Sequence, residues 1–309
     1  MKVGVTGASG FLGSAVLREG KTRGWTVVAF SRQPGGVAGA DETRSLADPG
    51  SIDLDGLDAL IHLAGEPVVG WWSRDKKRRI HESRVDLSHD LVEAIARTPE
   101  AGRPSVLVSA SGTGYYGDRA DEWLDEESDV GFGFLPAVCR DWESASIKSE
   151  KLGVRVVHLR IGLVLGRGGM LRRLRPLFLL GLGGRLGQGR QWMSWIHLHD
   201  LARVFADCVE KDSLRGRVNG VSPRPVTNRE FTGTYARILR RPALFPVPAF
   251  LLKRLPGGMG DLFLSSQRVD PVVLKSFDFQ WSHPDLESAL REIEGRPGAG
   301  DATAEETAP

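Results

Sequence analysis

A glycine-spaced turn near the start of the chain, TGASGFLG (Thr6 to Gly13), constrains the fold more than any other stretch. Lys2 to Thr6 before it alternate as a short buried strand, and Phe11 to Arg23 after it have the spacing of an amphipathic helix. In that succession each glycine has a physical purpose. Gly7 permits a tight turn, Gly10 lets the backbone approach a pyrophosphate, and Gly13, with no Cβ, lets the helix close on the strand. Main-chain amides at the helix start then face the phosphate charge. Gly7, Ser9, Gly10, Phe11, Leu12 and Gly13 are therefore the expected cofactor-binding residues of a dinucleotide site. The alternative is a glycine turn that holds no ligand.

Further strand-like runs, rich in Val, Leu or Ile, occur at Trp25 to Phe30, Ala59 to Leu63, Ser105 to Ser109 and Val154 to Leu159. Helical patterns at Arg74 to Arg97 and Cys139 to Leu152 separate them, and Leu87, Leu91, Val92 and Ile95 share one helix face. A helix at Leu201 to Val209 and a strand around Arg217 to Val221 continue the alternation. This predicts an α/β chain with a Rossmann-type, doubly wound parallel sheet. From Gly166 the pattern changes to glycines across 166–197, then to prolines at 225, 242, 246, 248 and 256. Those segments predict a smaller substrate-side, C-terminal domain from about 167–197 plus 224–294, leaving 1–166 plus about 198–223 to the nucleotide domain. Residues 295–309 lack large apolar side chains and read as a disordered tail.

The second strand ends Phe30-Ser31-Arg32, where an NAD-selective site places a carboxylate for the ribose hydroxyls; none occurs before Asp41. Arg32 is placed to meet a 2′-phosphate and stack on adenine, with Ser31 as its neutral partner, so the expected cofactor is NADP(H). Arg32 as a solvated loop charge is the alternative. A net charge of +2 gives no pull toward nucleic acid or anionic membrane, and the expected partner is a small-molecule substrate, with the oligomeric state open. Two cysteines, too few for a disulfide framework, fit a reducing, cytoplasmic setting.

TGASGFLG, the Ser31-Arg32 strand end and HLAG (His62 to Gly65) together resemble the extended short-chain dehydrogenase/reductase superfamily. HLAGEPV, SGTGYYGD (Ser111 to Asp118), CRDWE (Cys139 to Glu143), GLGGRLGQGRQ (Gly181 to Gln191) and WIHLHD (Trp195 to Asp200) sharpen this. They resemble the atypical epimerase-family oxidoreductases, which carry their own short C-terminal domain. The resemblance implies that Leu63, Ala64 and Gly65 line the cofactor's phosphates and riboses, that Ser109 ends a strand beneath the nicotinamide half, and that Ile161, Gly162 and Leu163 close over its ribose. It also places Arg84 where extended members usually carry asparagine. That guanidinium reaches phosphate or ribose oxygens, or is one more exposed charge in the basic run Arg74 to Arg84, which reads as a solvated face.

Hydride exchange with an alcohol or ketone needs a proton donor or acceptor. The superfamily uses Tyr-x-x-x-Lys on one helix; the matching positions here are Cys139 and Glu143, and a glutamate disfavours a thiolate. Tyr116 and Tyr115 are the replacement candidates, with packing of the pocket as the other reading. Glu66 contacts ribose or substrate, or is a loop carboxylate; Arg185 and Arg190 meet an anionic group, or their glycine-rich loop is a tight crossing. His197 and Asp200, without a third ligand nearby in sequence, predict domain joining and helix-start stabilisation rather than a metal site. The expected function is an NADP-dependent, epimerase-like oxidoreductase, or a catalytically silent NADP(H)-binding sensor or scaffold.

Overall fold

The computed structural model describes residues 1–33 and 35–295; the tail expected to be disordered lies, but for Gly295, outside them. Seven strands form the main sheet: β1 (Lys2–Thr6), β2 (Thr26–Ser31), β3 (Glu42–Ser45), β4 (Ala59–His62), β5 (Val106–Gly112), β6 (Arg155–Ile161) and β7 (Gly216–Gly220). Their order is β3-β2-β1-β4-β5-β6-β7, and every pairing is parallel. Parallel strands need crossovers, and helices α1 (Phe11–Thr22), α2 (Arg74–Arg97), α3 (Phe134–Ser146) and, further along, α5 (Leu198–Glu210) supply them.

Val16 and Leu17 of α1 with Val204 and Phe205 of α5 bury one face of the sheet against Val3, Val5, Val27 and Val157. Leu91, Ala94 and Ile95 of α2 cover the other face against Val28, Leu60, Leu107 and Val156. Burial on both sides is what the unbroken apolar runs required, and the doubly wound fold is the one expected.

Two details differ from the sequence reading. β3 was not anticipated: as an edge strand it is paired on one side only, so its sequence, ETRS, carries no apolar run. The third helix starts five residues earlier than expected, at Phe134, and passes at Ile147 into a 3-10 turn reaching Leu152.

The remaining elements build a second, smaller core. Strand Leu163–Leu165 pairs in parallel with Trp195–His197. Around them α4 (Gly169–Leu179), α6 (Asn228–Leu239) and the last helix, Leu286–Ile293, bring together Leu171, Phe178, Trp195, Phe231, Tyr235 and Leu290. α6 starts at a reciprocal cap between Thr227 and Glu230. Among the described residues no helix is long and apolar enough to cross a membrane.

Candidate functional site

The chain reverses its winding between β1 and β4, and in an open α/β sheet that is where a crevice opens at the carboxyl ends. Gly7 stands there at φ +67, a conformation that suits glycine. A Cβ on it would lie 2.9 Å from the Ala64 amide nitrogen and the Leu63 carbonyl carbon, so the two loops touch backbone to backbone. Thr6 fixes the junction: its Oγ1 accepts from the amides of Leu63 (3.1 Å) and Ala64 (3.2 Å) and lies 2.8 Å from His62 Nδ1.

Gly10 N–H donates to Gly7 O at 3.0 Å, which sets the start of α1. No side chain caps that helix and its first turn holds no acidic residue, so its leading amides stay available to an anion. Ser9 and Gly10 are exposed and Phe11 and Leu12 half-buried, whereas Gly13 is buried and acts through packing. The Phe11 ring is roofed by Gly166, Gly168 and Gly169; a Cβ at Gly168 would stand 2.5 Å from it.

At the end of β2, Ser31 Oγ donates to Gln33 O, and Arg32 is exposed. Asp41, the nearest carboxylate in sequence, sits at the opposite end of the strand, accepting from Val27 N at 2.8 Å and paired with Lys21. That pairing holds its carboxyl below the usual range, Lys21 first and the Val27 amide second.

At Gly65 the Arg84 guanidinium fills the space a Cβ would need, at 3.0 Å. Arg84 Nη1 donates to the carbonyls of Glu66 (2.9 Å) and Ile80 (3.1 Å), and the guanidinium lies 5.1 Å from the Trp142 ring. It braces the Gly65-Glu66 loop. Glu66 accepts from Lys76 Nζ at 2.6 Å, and this pair lowers its pKa. The basic run is thus not simply a solvated face, since Lys76 and Arg84 both turn in toward the loop.

Along β5 the strand runs on to Gly112, so Ser109 does not end it; its side chain is enclosed between His62 and His158 on the adjoining strands. The expectation that it ends the strand is corrected; burial within the sheet is compatible with a place beneath the nicotinamide half. Ile161, Gly162 and Leu163 are half-exposed at the end of β6, where the Leu163 amide donates to Ser194 O at 2.8 Å.

The proton-donor expectation for Tyr116 is also corrected. Tyr116 is 0% exposed; its hydroxyl donates to Asn219 Oδ1 (2.7 Å) and accepts from Arg160 Nη1 (3.1 Å). Burial raises that phenol to about 12. Its hydroxyl is enclosed and its bonds are satisfied by protein, as a packing residue's are. Tyr115 is half-buried, its ring 3.5 Å from the Arg160 guanidinium.

Glu143 takes two parallel bonds of 2.9 Å from Arg160 and one of 2.7 Å from Ser111 Oγ. Glu126 accepts from the amides of Asn219 and Val273, extending the network toward the C-terminal segment. Cys139, one helical turn before Glu143, is buried, and burial with that carboxylate beside it pushes the thiol up to about 11. None of Arg160, Asn219 and Glu126 is marked by a local pattern.

The loop 181–191 is tied down by Leu186 N to Asn228 Oδ1 (2.8 Å) and Gly187 N to Val247 O (2.8 Å), while Arg185 and Arg190 are exposed. His197 accepts from His199 N through Nδ1 and meets Glu292 Oε2 through Nε2 at 3.0 Å. Folding supplies the neighbours that sequence spacing did not: donor atoms of His197, His283 and Glu292 lie within 4.8 Å of one another. The His199 amide fixes the His197 proton on Nε2, pointing at Glu292, so this ring is a hydrogen-bond donor between the strand Trp195–His197 and the helix Leu286–Ile293. Asp200, fully buried, holds the amides of Ser282 (2.8 Å) and His283 (2.9 Å).

Two buried histidines carry a pH prediction. Burial, aided by Arg84, pushes His62 down to about 3, and burial pushes His158 down to about 4. The unfolded chain therefore takes up protons below about 6.5 that the native chain does not. Their stabilisation is complete above that pH and is lost as pH falls, by up to about 1.4 kcal/mol per unit for each ring. Urea melts at pH 7, 6 and 5 check this; equal midpoints would remove it.

Sheet order, switch-point crevice and uncapped helix start define a protein of the Rossmann-type fold. The family follows from comparison: residues 3–219 match the NAD dependent epimerase/dehydratase family model, and the chain belongs to that family. Residues 247–293 match a domain of unknown function, DUF1731. An epimerase family protein of Mycobacterium tuberculosis is 37% identical over 302 residues, spanning 96% of this chain and 98% of its own length. The chloroplastic homologue of epimerase family protein SDR39U1 from Arabidopsis thaliana is 36% identical over 304 residues, 95% of this chain and 86% of the relative. The crystal structure of human SDR39U1 (isoform 2) with NADPH superimposes with a TM-score of 0.88 at 32% identity, covering 96% of this chain and 100% of that one.

Proposed function

We propose that this protein binds NADP(H) in the crevice between β1 and β4 and acts as an epimerase-like oxidoreductase on a small-molecule substrate. The observation that carries the cofactor reading is the pairing of an uncapped glycine turn with a strand end where Arg32 is exposed and Asp41 is turned away. Gly7, Ser9, Gly10, Phe11 and Leu12 hold the pyrophosphate. Arg32 and Ser31 hold the 2′-phosphate, while Leu63 to Gly65, braced by Arg84, and Ile161 to Leu163 hold the riboses. Bound there, a nicotinamide supplies hydride exchange with a carbinol or carbonyl carbon. Tyr115 is left as the proton donor at that end of the crevice. Residues 1–166 with about 198–223 carry the nucleotide, and about 167–197 with 224–294 close the substrate side. A cytoplasmic setting suits the two buried, unpaired cysteines.

A second reading, a cofactor-binding sensor without turnover, is favoured by the ion pair that locks Glu143 and by the inert Cys139. Titration with NADPH and NADH tests the shared part. Arg32→Ala should weaken NADPH by about 10- to 100-fold, the range of a charge-assisted bond, and leave NADH nearly unchanged. Equal weakening removes the 2′-phosphate assignment. NADPH oxidation on a panel of carbonyl compounds, lost in Tyr115→Phe, separates enzyme from sensor.

A further inference from the structure

Arg268 lies outside the cofactor site and outside the buried network. It begins the short strand Arg268–Val269, paired in parallel with Trp123–Leu124 so that Arg268 stands opposite Trp123. Trp192 flanks it on the other side, where Gln267 N–H donates to Trp192 O at 3.2 Å. The guanidinium is sandwiched, 4.0 Å from the Trp123 ring centre and 4.1 Å from that of Trp192. Its Nε is buried and has no hydrogen-bond partner. Glu122 pairs with Arg119 and Asp270 with Lys275, while Asp121 stands beside the clamp and accepts from the Trp192 indole N–H at 2.8 Å.

With an indole over each face, only the edge of the guanidinium is left to interact, and that edge matches the two oxygens of a carboxylate or phosphate. The rings also hold the plane still and offset part of the charge's desolvation. The Nε is enclosed, so the part of the fork left to an oxyanion is the pair of outer nitrogens. Position agrees with a ligand. Ser194 O accepts from Leu163 N, and Trp192 lies two residues before Ser194, about 7 Å along an extended strand. The strand segment that carries Trp192 thus leads directly to the Ile161 to Leu163 loop. Trp123 is 51% exposed, so the clamp opens outward.

We propose that Arg268, clamped between Trp123 and Trp192, recognises an oxyanion on the substrate, so that the substrate class is a carboxylated or phosphorylated small molecule. The assignment of this end of the crevice to substrate rests on the NADP(H) reading above.

The full chain saturated with NADPH is titrated with inorganic phosphate, pyrophosphate and malonate, following calorimetric heat and tryptophan emission. At least one anion should bind, and Arg268→Gln should weaken it by about tenfold or more while leaving NADPH affinity unchanged. Preference for malonate identifies a carboxylate, and preference for the phosphates a phosphoryl group. Trp123→Ala, at a half-exposed position, and Arg268→Lys provide variants expected to fold, and each should weaken the same anion. If the NADPH-loaded protein binds none of the three, or if these variants bind as tightly as the parent, the oxyanion site is overturned. If the parent binds no NADPH, it is the cofactor reading that fails.

Discussion

Gly13→Ala should abolish NADPH binding and lower the thermal midpoint of the whole chain. An alanine Cβ there would lie 2.2 Å from Gly7 O and 2.7 Å from Ala8 Cα, both backbone atoms of the turn itself. Neither can step aside like a side chain, because Gly7 is pressed against Ala64 on its other side and its carbonyl accepts from Gly10 N. Relief therefore means moving α1 off β1, which costs about 1–3 kcal/mol as overpacking and re-aims the amides that meet the pyrophosphate. Gly10→Ala is the useful contrast. Its Cβ has a single close neighbour, Gly7 O at 3.1 Å, and projects from an exposed position. It should leave the melt nearly unchanged while weakening NADPH, since the methyl occupies the ligand's side of the turn. NADPH titration beside a thermal melt reads both. Binding by Gly13→Ala as tight as by the parent would remove the turn from the cofactor site.

The contrast between those glycines also shows what was legible in the sequence. The turn, β1 and α1 lie between Lys2 and Thr22, so their meaning is carried by local spacing. The same holds for the alternation that predicts the doubly wound sheet, because burial on both faces leaves an unbroken apolar run. β3 was invisible since an edge strand makes no such demand. Arg84 was visible as a departure from the superfamily's asparagine, but its role in bracing Gly65 depends on a helix packing over a loop. Tyr116 was misread for the same reason: its partners Arg160 and Asn219 are 44 and 103 residues away. The Trp123–Arg268–Trp192 clamp joins three separate segments and leaves no mark in any one of them.

Arg160→Met should be the most destabilising single change in the network, and its rescue should show what the network is for. Arg160 is 0% exposed, and Glu143 loses both of its charged partner's bonds when the guanidinium goes. A carboxylate left buried with only the Ser111 hydroxyl costs about 3–5 kcal/mol, and Tyr116 loses a donor as well. Neutralising the orphan in Glu143→Gln/Arg160→Met should recover most of that loss, because a buried ion pair contributes little beyond what apolar packing can supply. Urea denaturation of the two single variants and the double gives the coupling directly. The family resemblance matches Cys139 and Glu143 to the superfamily's Tyr-x-x-x-Lys pair, so the rescue bears on the proposed chemistry too. If the double variant is stable, binds NADPH and keeps whatever turnover the parent has, the pair is a strut beneath the crevice. If stability returns but turnover does not, Arg160 or Glu143 acts on the reaction, and the proton path must be sought through them rather than Tyr115.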